Sequence, residues 1–144
     1  MKRFRFTFCA ALALVLTTAI FSYPQETPRA LAQKASEHWL ALVDAGKYGE
    51  SWDAAARAFK DALSRQAWIN QVEAARKPLG KLVSRKLAKS NYMKNPPGAP
   101  PGEYVAIEYQ SSFENLKSAT ETVVPTLDKD GKWRVSGYFV KKTP

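Results

Sequence analysis

HWLALVDAGKYGESWDAAARAF, the stretch from His38 to Phe59, decides how this chain is read. Before its break at Gly46, Leu31, Ala35, Trp39, Leu42 and Val43 recur at helical spacing, and after it Trp52, Ala55, Ala56, Phe59 and Leu63 do the same. Two amphipathic helices therefore meet at Gly46, each with an apolar face to cover. Four strand-like segments follow, so the helices are expected to close over one face of a sheet and form a small enclosed core.

Working outward, Thr27-Pro28 is a helix start, with a capping hydroxyl followed by proline where no amide donor is needed. The first helix should run to about Ala45 and stop at Gly46, which can take the left-handed conformation of a helix end. The second covers Tyr48 to Phe59. Ser64 caps a third, with apolar positions Trp68, Val72 and Ala75, and Pro78 with Gly80 ends it.

From Lys81 the period changes to two. KLVSRKLAKSNYM is followed by NPPGAPPG, a proline-rich connection, and then by EYVAIEYQSSF, KSATETVVPTL and, after the DKDG turn at Asp128 to Gly131, KWRVSGYFVKK. The expected fold class is α+β, with three N-terminal helices packed on a curved four-stranded antiparallel sheet. No internal repeat or second domain is visible.

Residues 1–22 read as a secretory signal, because a basic start is followed by an apolar run that ends at Ser22-Tyr23-Pro24. That run of about 15 residues is shorter than the roughly 20 of a spanning helix, which argues against an anchor. Residues 23–144 are then one domain, with no membrane association once the signal is removed. With 144 residues, 45% of them hydrophobic and 12% aromatic, the chain has the apolar surface to order a core. Loss of Lys2, Arg3 and Arg5 with the signal lowers the formal charge from +9 to +6. The single cysteine, Cys9, would be lost with it, leaving no disulfide, thiolate metal site or cysteine nucleophile and suiting an oxidising compartment.

The runs WLALVDAGKYGESWDAAA, KPLGKLVSRKL and ETVVPTLDKDGKWRVSGYFVKK together resemble an uncharacterised bacterial family, domain of unknown function 4019, over about Pro28 to Lys142. The resemblance implies periplasmic or secreted residence and carries no activity. Its order of helices then sheet is similar to the cone-shaped α+β fold of the nuclear transport factor 2-like superfamily. That fold hosts isomerases, dehydratases and binding modules alike, so it does not decide function.

Few side chains carry a chemical signal. His38 is the only histidine, so a usual zinc site lacks its ligands, and a serine-histidine-acid triad would have to use this residue in a sequence without a GxSxG motif; no metal or cofactor is expected. The aromatic set Trp39, Tyr48, Trp52, Phe59 and Trp68 has the spacing of a core, with Trp52 and Trp68 of most interest because a buried indole donor needs an acceptor. Seven basic residues and no acidic one lie between Ala74 and Gly102, with Lys86 on the strand face opposite Arg85 and Lys89. Aromatic interleaving is slight there, and a nucleic-acid partner is not expected of an exported chain.

Arg85 and Glu121 stand out more. Alternation places Arg85 with Val83 and Leu87, and Glu121 with Ala119, Val123 and Leu127, so each puts a charge into an apolar stripe and needs a partner. Either they form a structural ion pair or they anchor a pocket, whose candidate lining is Trp52, Trp68, Arg85, Tyr109 and Glu121. The expected function is an exported, non-catalytic binding module with a small pocket between helices and sheet, for a small ligand or protein partner. Its alternatives are an isomerase- or dehydratase-like enzyme with Glu121 as general base, and a protein that homodimerises through an outer sheet face bearing Tyr104 and Tyr138.

Overall fold

Thr27 opens the first helix as its residue type requires: its hydroxyl accepts the Ala30 amide at 3.2 Å, and Pro28 occupies the first turn of α1 (Pro28–Asp44). The structure is a computed structural model that describes residues 25–143; the expected signal segment, Cys9 included, lies outside them. Gly46 closes α1 at φ +72°, with its amide on the Val43 carbonyl and that of Lys47 on Leu42. That pairing is a Schellman stop, which needs a left-handed residue at this point.

Beyond Gly46 the expected second helix is two. α2 (Tyr48–Asp53) and α3 (Arg57–Ala62) are separated at Ala54–Ala56, although alanine has the highest helix propensity. The interruption has a tertiary cause. Ala55 and Ala56 are at most 1% exposed, and the Ala56 amide donates to Val135 on the last strand at 2.8 Å. A continued helix would spend that amide internally; side chains without bulk let the backbone approach the strand instead. α4 (Arg65–Arg76), capped by Ser64, and a 3-10 turn over Lys77–Leu79 complete the helical part, so four α-helices stand among the described residues where three were expected.

The strands are β1 (Leu82–Lys94), β2 (Glu103–Phe113), β3 (Ala119–Leu127) and β4 (Trp133–Lys142). They form one open antiparallel sheet in the order β1-β2-β3-β4, and the fold is α+β. Three bulges shift which side chains face the helices. In β1, Leu82 pairs with Phe113 and Ser84 with Ser112, leaving Val83 extra; Leu87 pairs with Tyr109 and Lys89 with Glu108, leaving Ala88 extra. Arg85 and Leu87 thus face inward, whereas Lys86 and Lys89, expected on opposite faces, share the outer one. In β4, Val124 pairs with Gly137 and Pro125 with Val135, so Ser136 is extra and places its hydroxyl on the Val124 carbonyl at 2.8 Å. Pro125, which has no amide to give to the ladder, sits at this irregularity, where a proline is tolerated inside a sheet.

The Ser136 bulge corrects one expectation. Strict alternation puts Val135 and Tyr138 on opposite faces, and Tyr138 was expected outside with Tyr104. With one residue inserted both point inward, and Tyr138 packs 5.4 Å from the Trp39 ring. The apolar stripe expected around Arg85 is also uncovered: Val83, the extra residue of the first bulge, is 61% and Leu87 46% exposed on the edge strand.

The core fills the space between α1, α2, α4 and the inner sheet face. Trp39, 1% exposed, lies 5.5 Å from Trp68 and 6.4 Å from Phe59. Its indole donates to the Ser51 carbonyl at 2.8 Å, that of Trp68 donates to Ser51 Oγ at 2.9 Å, and the same hydroxyl donates to Tyr48 O at 2.7 Å. One buried serine thus meets the polar needs of two indoles. Trp52 is only half-buried, with its indole on the Leu63 carbonyl at 2.8 Å and Lys60 over its ring. Trp39→Ala should therefore cost about 3–5 kcal/mol in chemical denaturation, in the range for buried aromatics. Trp52→Ala should cost clearly less, and equal losses would show the Trp52 ring to be as integral to the core as Trp39.

Candidate functional site

Glu121 has no exposed surface, and both of its oxygens are occupied. Oε2 accepts from Arg85 Nε at 2.7 Å and Ser111 Oγ at 2.6 Å. Oε1 accepts from the Tyr138 hydroxyl at 2.6 Å, an Arg85 terminal nitrogen at 3.0 Å and, at 3.4 Å, Arg76. The position is set by the sheet: Glu121 stands in register with Tyr109 on β2 and with Val140 on β4.

Arg85 reaches Glu121 although β1 and β3 are not neighbours. Its partner across the β1–β2 ladder is Ser111, itself paired with Ala119, and these two small side chains leave a passage over β2. Arg85 crosses it, and the hydroxyl of Ser111 joins the bonding instead of blocking it. Strand order and ion pair are thereby compatible.

Asp44, at the end of α1, completes the cluster. Its Oδ2 accepts from Arg85 at 2.7 Å, while Oδ1 accepts from Arg76 at 2.7 Å and Arg85 at 3.1 Å. Arg76, from the last turn of α4 and 5% exposed, also donates to the Tyr138 oxygen at 3.1 Å and lies 4.8 Å over the Phe113 ring. Two carboxylates and two guanidinium groups are thus pooled in a formally neutral unit that ties α1, α4, β1 and β3 together. Burial raises the Asp44 pKa, but hydrogen bonds from Arg85 and Arg76 outweigh that and hold it below the ordinary carboxylate value of 3.8. Burial, with the Glu121 charge beside it, pushes the Tyr138 phenol up, so it stays a donor to Glu121. Arg85 loses some basicity to burial and regains more from Asp44 and Glu121, which keeps it charged.

Of the five residues singled out in the sequence, Arg85, Tyr109 and Glu121 are gathered on the inner sheet face. Trp68 stands one layer away, 6.4 Å from the Tyr138 ring, and Trp52 packs half-buried against the margin of the core with its indole on the Leu63 carbonyl. Tyr109 is 3% exposed, its pKa is raised by burial, and its hydroxyl has no hydrogen-bond partner among the described residues. Asp44, Arg76 and Ser111 were not singled out, and Tyr138 was named only for the outer sheet face. Arg76 had a signal, since it follows Trp68 and Val72 at successive four-residue steps on one helix face.

A cleft of about 210 Å³ opens against the cluster, lined by Val43, Asp44, Tyr48, Arg76, Lys77, Gly80, Lys81 and Glu114. Two larger clefts lie at the far end of the sheet, by the proline-rich connection. One, of about 730 Å³, has Arg57 paired to Asp61 and Arg134 paired to Asp128 and Asp130 on its walls. The other, of about 360 Å³, is largely apolar and includes Met93, Val124 and Phe139 on the outer sheet face. None of the three is lined by Trp52, Trp68, Arg85, Tyr109 or Glu121.

Arg85→Met and Glu121→Leu should each cost about 3–5 kcal/mol, because each strands buried charge, and the double variant should lose much less than the sum. Additive losses would mean the pair is not coupled. The acid limb of stability reports on Asp44: its pKa is lower folded than unfolded, so its contribution is complete above the unfolded value near 3.8 and is lost as pH falls through the depressed value. Asp44→Asn should flatten that limb in urea titrations across acidic pH, and an unchanged slope would place the acid sensitivity elsewhere.

Among the described residues no helix is long and apolar enough to cross a membrane, and no group of three His, Cys, Asp or Glu is placed to hold a metal. No curated protein and no solved structure matches the chain. The sequence model of the family described as protein of unknown function (DUF4019) matches residues 35–138, the part that carries α1 from Ala35 onward, the later helices, the charge cluster and the strands as far as Tyr138. The chain belongs to that family.

Proposed function

We propose that the chain is an exported, non-catalytic binding module that takes a small ligand in the cleft between the helical layer and the start of β1. One observation carries this reading: both Glu121 oxygens are committed to fixed donors and the side chain has no exposed surface. A general base must bring a lone pair within hydrogen-bond reach of a substrate proton. Glu121 has none to offer, which disfavours the isomerase- or dehydratase-like alternative, and His38 stands exposed on α1. The cluster therefore serves as a rigid wall, and the cleft lined by its Asp44 and Arg76 is where the cluster borders open space. We also read the layout as a variant of the cone-shaped nuclear transport factor 2-like fold, since bulges at Val83, Ala88 and Ser136 bend a sheet.

A second reading, homodimerisation through the open sheet face, is favoured by Phe139. It is 65% exposed on a face where Lys89 stands in register with Glu108, charges that a two-fold copy would pair in reverse. Native mass spectrometry on the protein recovered from a periplasmic extract tests both. The expected species is a monomer lacking the first 22 or so residues and carrying a small ligand that emerges chemically unchanged after incubation. Full-length mass in the membrane fraction removes the claim of export, a converted ligand removes the non-catalytic reading, and a dimer mass supports the second one.

A further inference from the structure

We infer that the apolar groove on the outer sheet face takes the chain of a fatty-acid carboxylate, a second site that shares no lining residue with the cleft beside Asp44. The two sites therefore stand or fall separately. The groove has Pro96, Ala99 and Pro100 of the proline-rich connection on one side and Met93, Val124 and Phe139 of the sheet on the other. Its volume, about 360 Å³, falls among those of ligand clefts, roughly 300–1,000 Å³. The two hydroxyls that border it are already spent. Tyr104 donates to the Pro100 carbonyl at 2.9 Å and holds the connection over the sheet, and Ser136 donates to the Val124 carbonyl at 2.8 Å. Hydrocarbon is what gains by entering such a space.

Gly137 marks the groove as a place of close approach. It stands inside β4, where glycine weakens a strand, and its φ is not in the left-handed region, so neither the backbone nor the bulge at Ser136 requires it. Packing does not require it either: a Cβ at this position would meet the Phe139 ring at 3.5 Å and Val124 at 3.6 Å, ordinary contact distances. What a side chain here would occupy is the floor of the groove. A glycine that costs strand stability, and that no neighbour demands, is accounted for by an occupant lying against bare backbone.

The rest of the same face sets the charge of the head group. Cross-strand register puts Phe139, Thr122, Glu108 and Lys89 in one row and Lys141, Thr120, Gln110 and Lys86 in the next, farther from the groove. Three exposed lysines thus stand against one carboxylate, and Lys86 and Lys141 form no ion pair among the described residues. An anion complements that excess. From Gly137 to Lys141 the strand advances about 14 Å, so a chain of medium length lying on the groove floor brings its carboxylate beside Lys141. The groove is concave because the connection walls it, which suits one chain lying along it better than the flat surface of a bilayer.

NMR titration of the isotope-labelled protein with sodium decanoate, kept below its micelle concentration, provides the test. Decanoate should move the Gly137 and Phe139 amides and the Met93 and Val124 methyl signals along one saturable curve. Sodium acetate at equal concentration should move none of them, and decyltrimethylammonium, with the same chain and the opposite charge, should bind several-fold more weakly. Gly137→Val fills the floor with a strand-favouring side chain and should weaken decanoate binding several-fold while leaving the remaining amide spectrum in place. If that variant does not fold, Phe139→Ala, at a ring 65% exposed, replaces it with the same expected loss. Lys86→Glu with Lys141→Glu should reverse the preference between the two amphiphiles. Silence with decanoate, affinity unchanged in Gly137→Val or Phe139→Ala, shifts reproduced by acetate, or equal affinity for the two head groups each overturn the inference. Sedimentation with phosphatidylglycerol vesicles while decanoate is silent would make the face a membrane contact, and a dimer that hides Gly137 from decanoate would make a second copy the occupant; either result overturns it.

Discussion

Burying Glu121 is the constraint on which the rest of the structure depends. A carboxylate with no exposed surface is stable only if its charge is matched and its lone pairs are filled. Here that requires a guanidinium from the edge strand, a second from the end of α4, a hydroxyl from β2 and a phenol from β4. Each of those groups is useful only if its own element is correctly placed, so one residue fixes four elements at once. Asp44 extends the requirement to α1 by balancing the second guanidinium charge.

Geometric concessions elsewhere follow from it. Ser111 and Ala119 are small where β2 must let Arg85 across, and the Ser136 bulge turns Tyr138 from the solvent face to the carboxylate. The alanine run at Ala54–Ala56 gives up helix so that Ala56 can dock its amide on Val135, one side of the same bulge. Local propensity yields to tertiary pairing in each case, and each exchange supports the buried aromatic and ionic groups of the interior.

The architecture was legible where period and punctuation agree. Thr27, Gly46 and Ser64 mark helix ends by mechanisms that need no tertiary context, and the change of period at Lys81 separates helices from strands. Arg85 and Glu121 were visible as charges in apolar stripes, and the structure does pair them. What alternation could not deliver was facing beyond a bulge: Tyr138 was misassigned because one extra residue inverts every side chain after it. Asp44 escaped notice because a charge at a helix terminus ordinarily meets solvent. Trp52 and Trp68 looked equivalent in spacing and differ in depth, which depends on where a neighbouring loop falls rather than on period. That Trp39 and Trp68 share Ser51 as acceptor depends on a helix crossing no single-sequence pattern specifies.

The Ser136 bulge bears on how this chain can change length over evolutionary time. In an ordinary solvent-facing strand a one-residue insertion is absorbed as a local kink. Between Ser136 and Tyr138 it would restore strict alternation in the wrong sense and swing the phenol away from Glu121, so this segment should be closed to single insertions and deletions. The proline-rich connection is different, because Asn95 and Gly102 clasp it at the base: the Asn95 amide bonds the Gly102 carbonyl and the Asn95 side chain accepts the Gly102 amide. Length added beyond that clasp alters no strand register. Drift among relatives of this chain is thus expected to collect in that hairpin while β4 keeps its count.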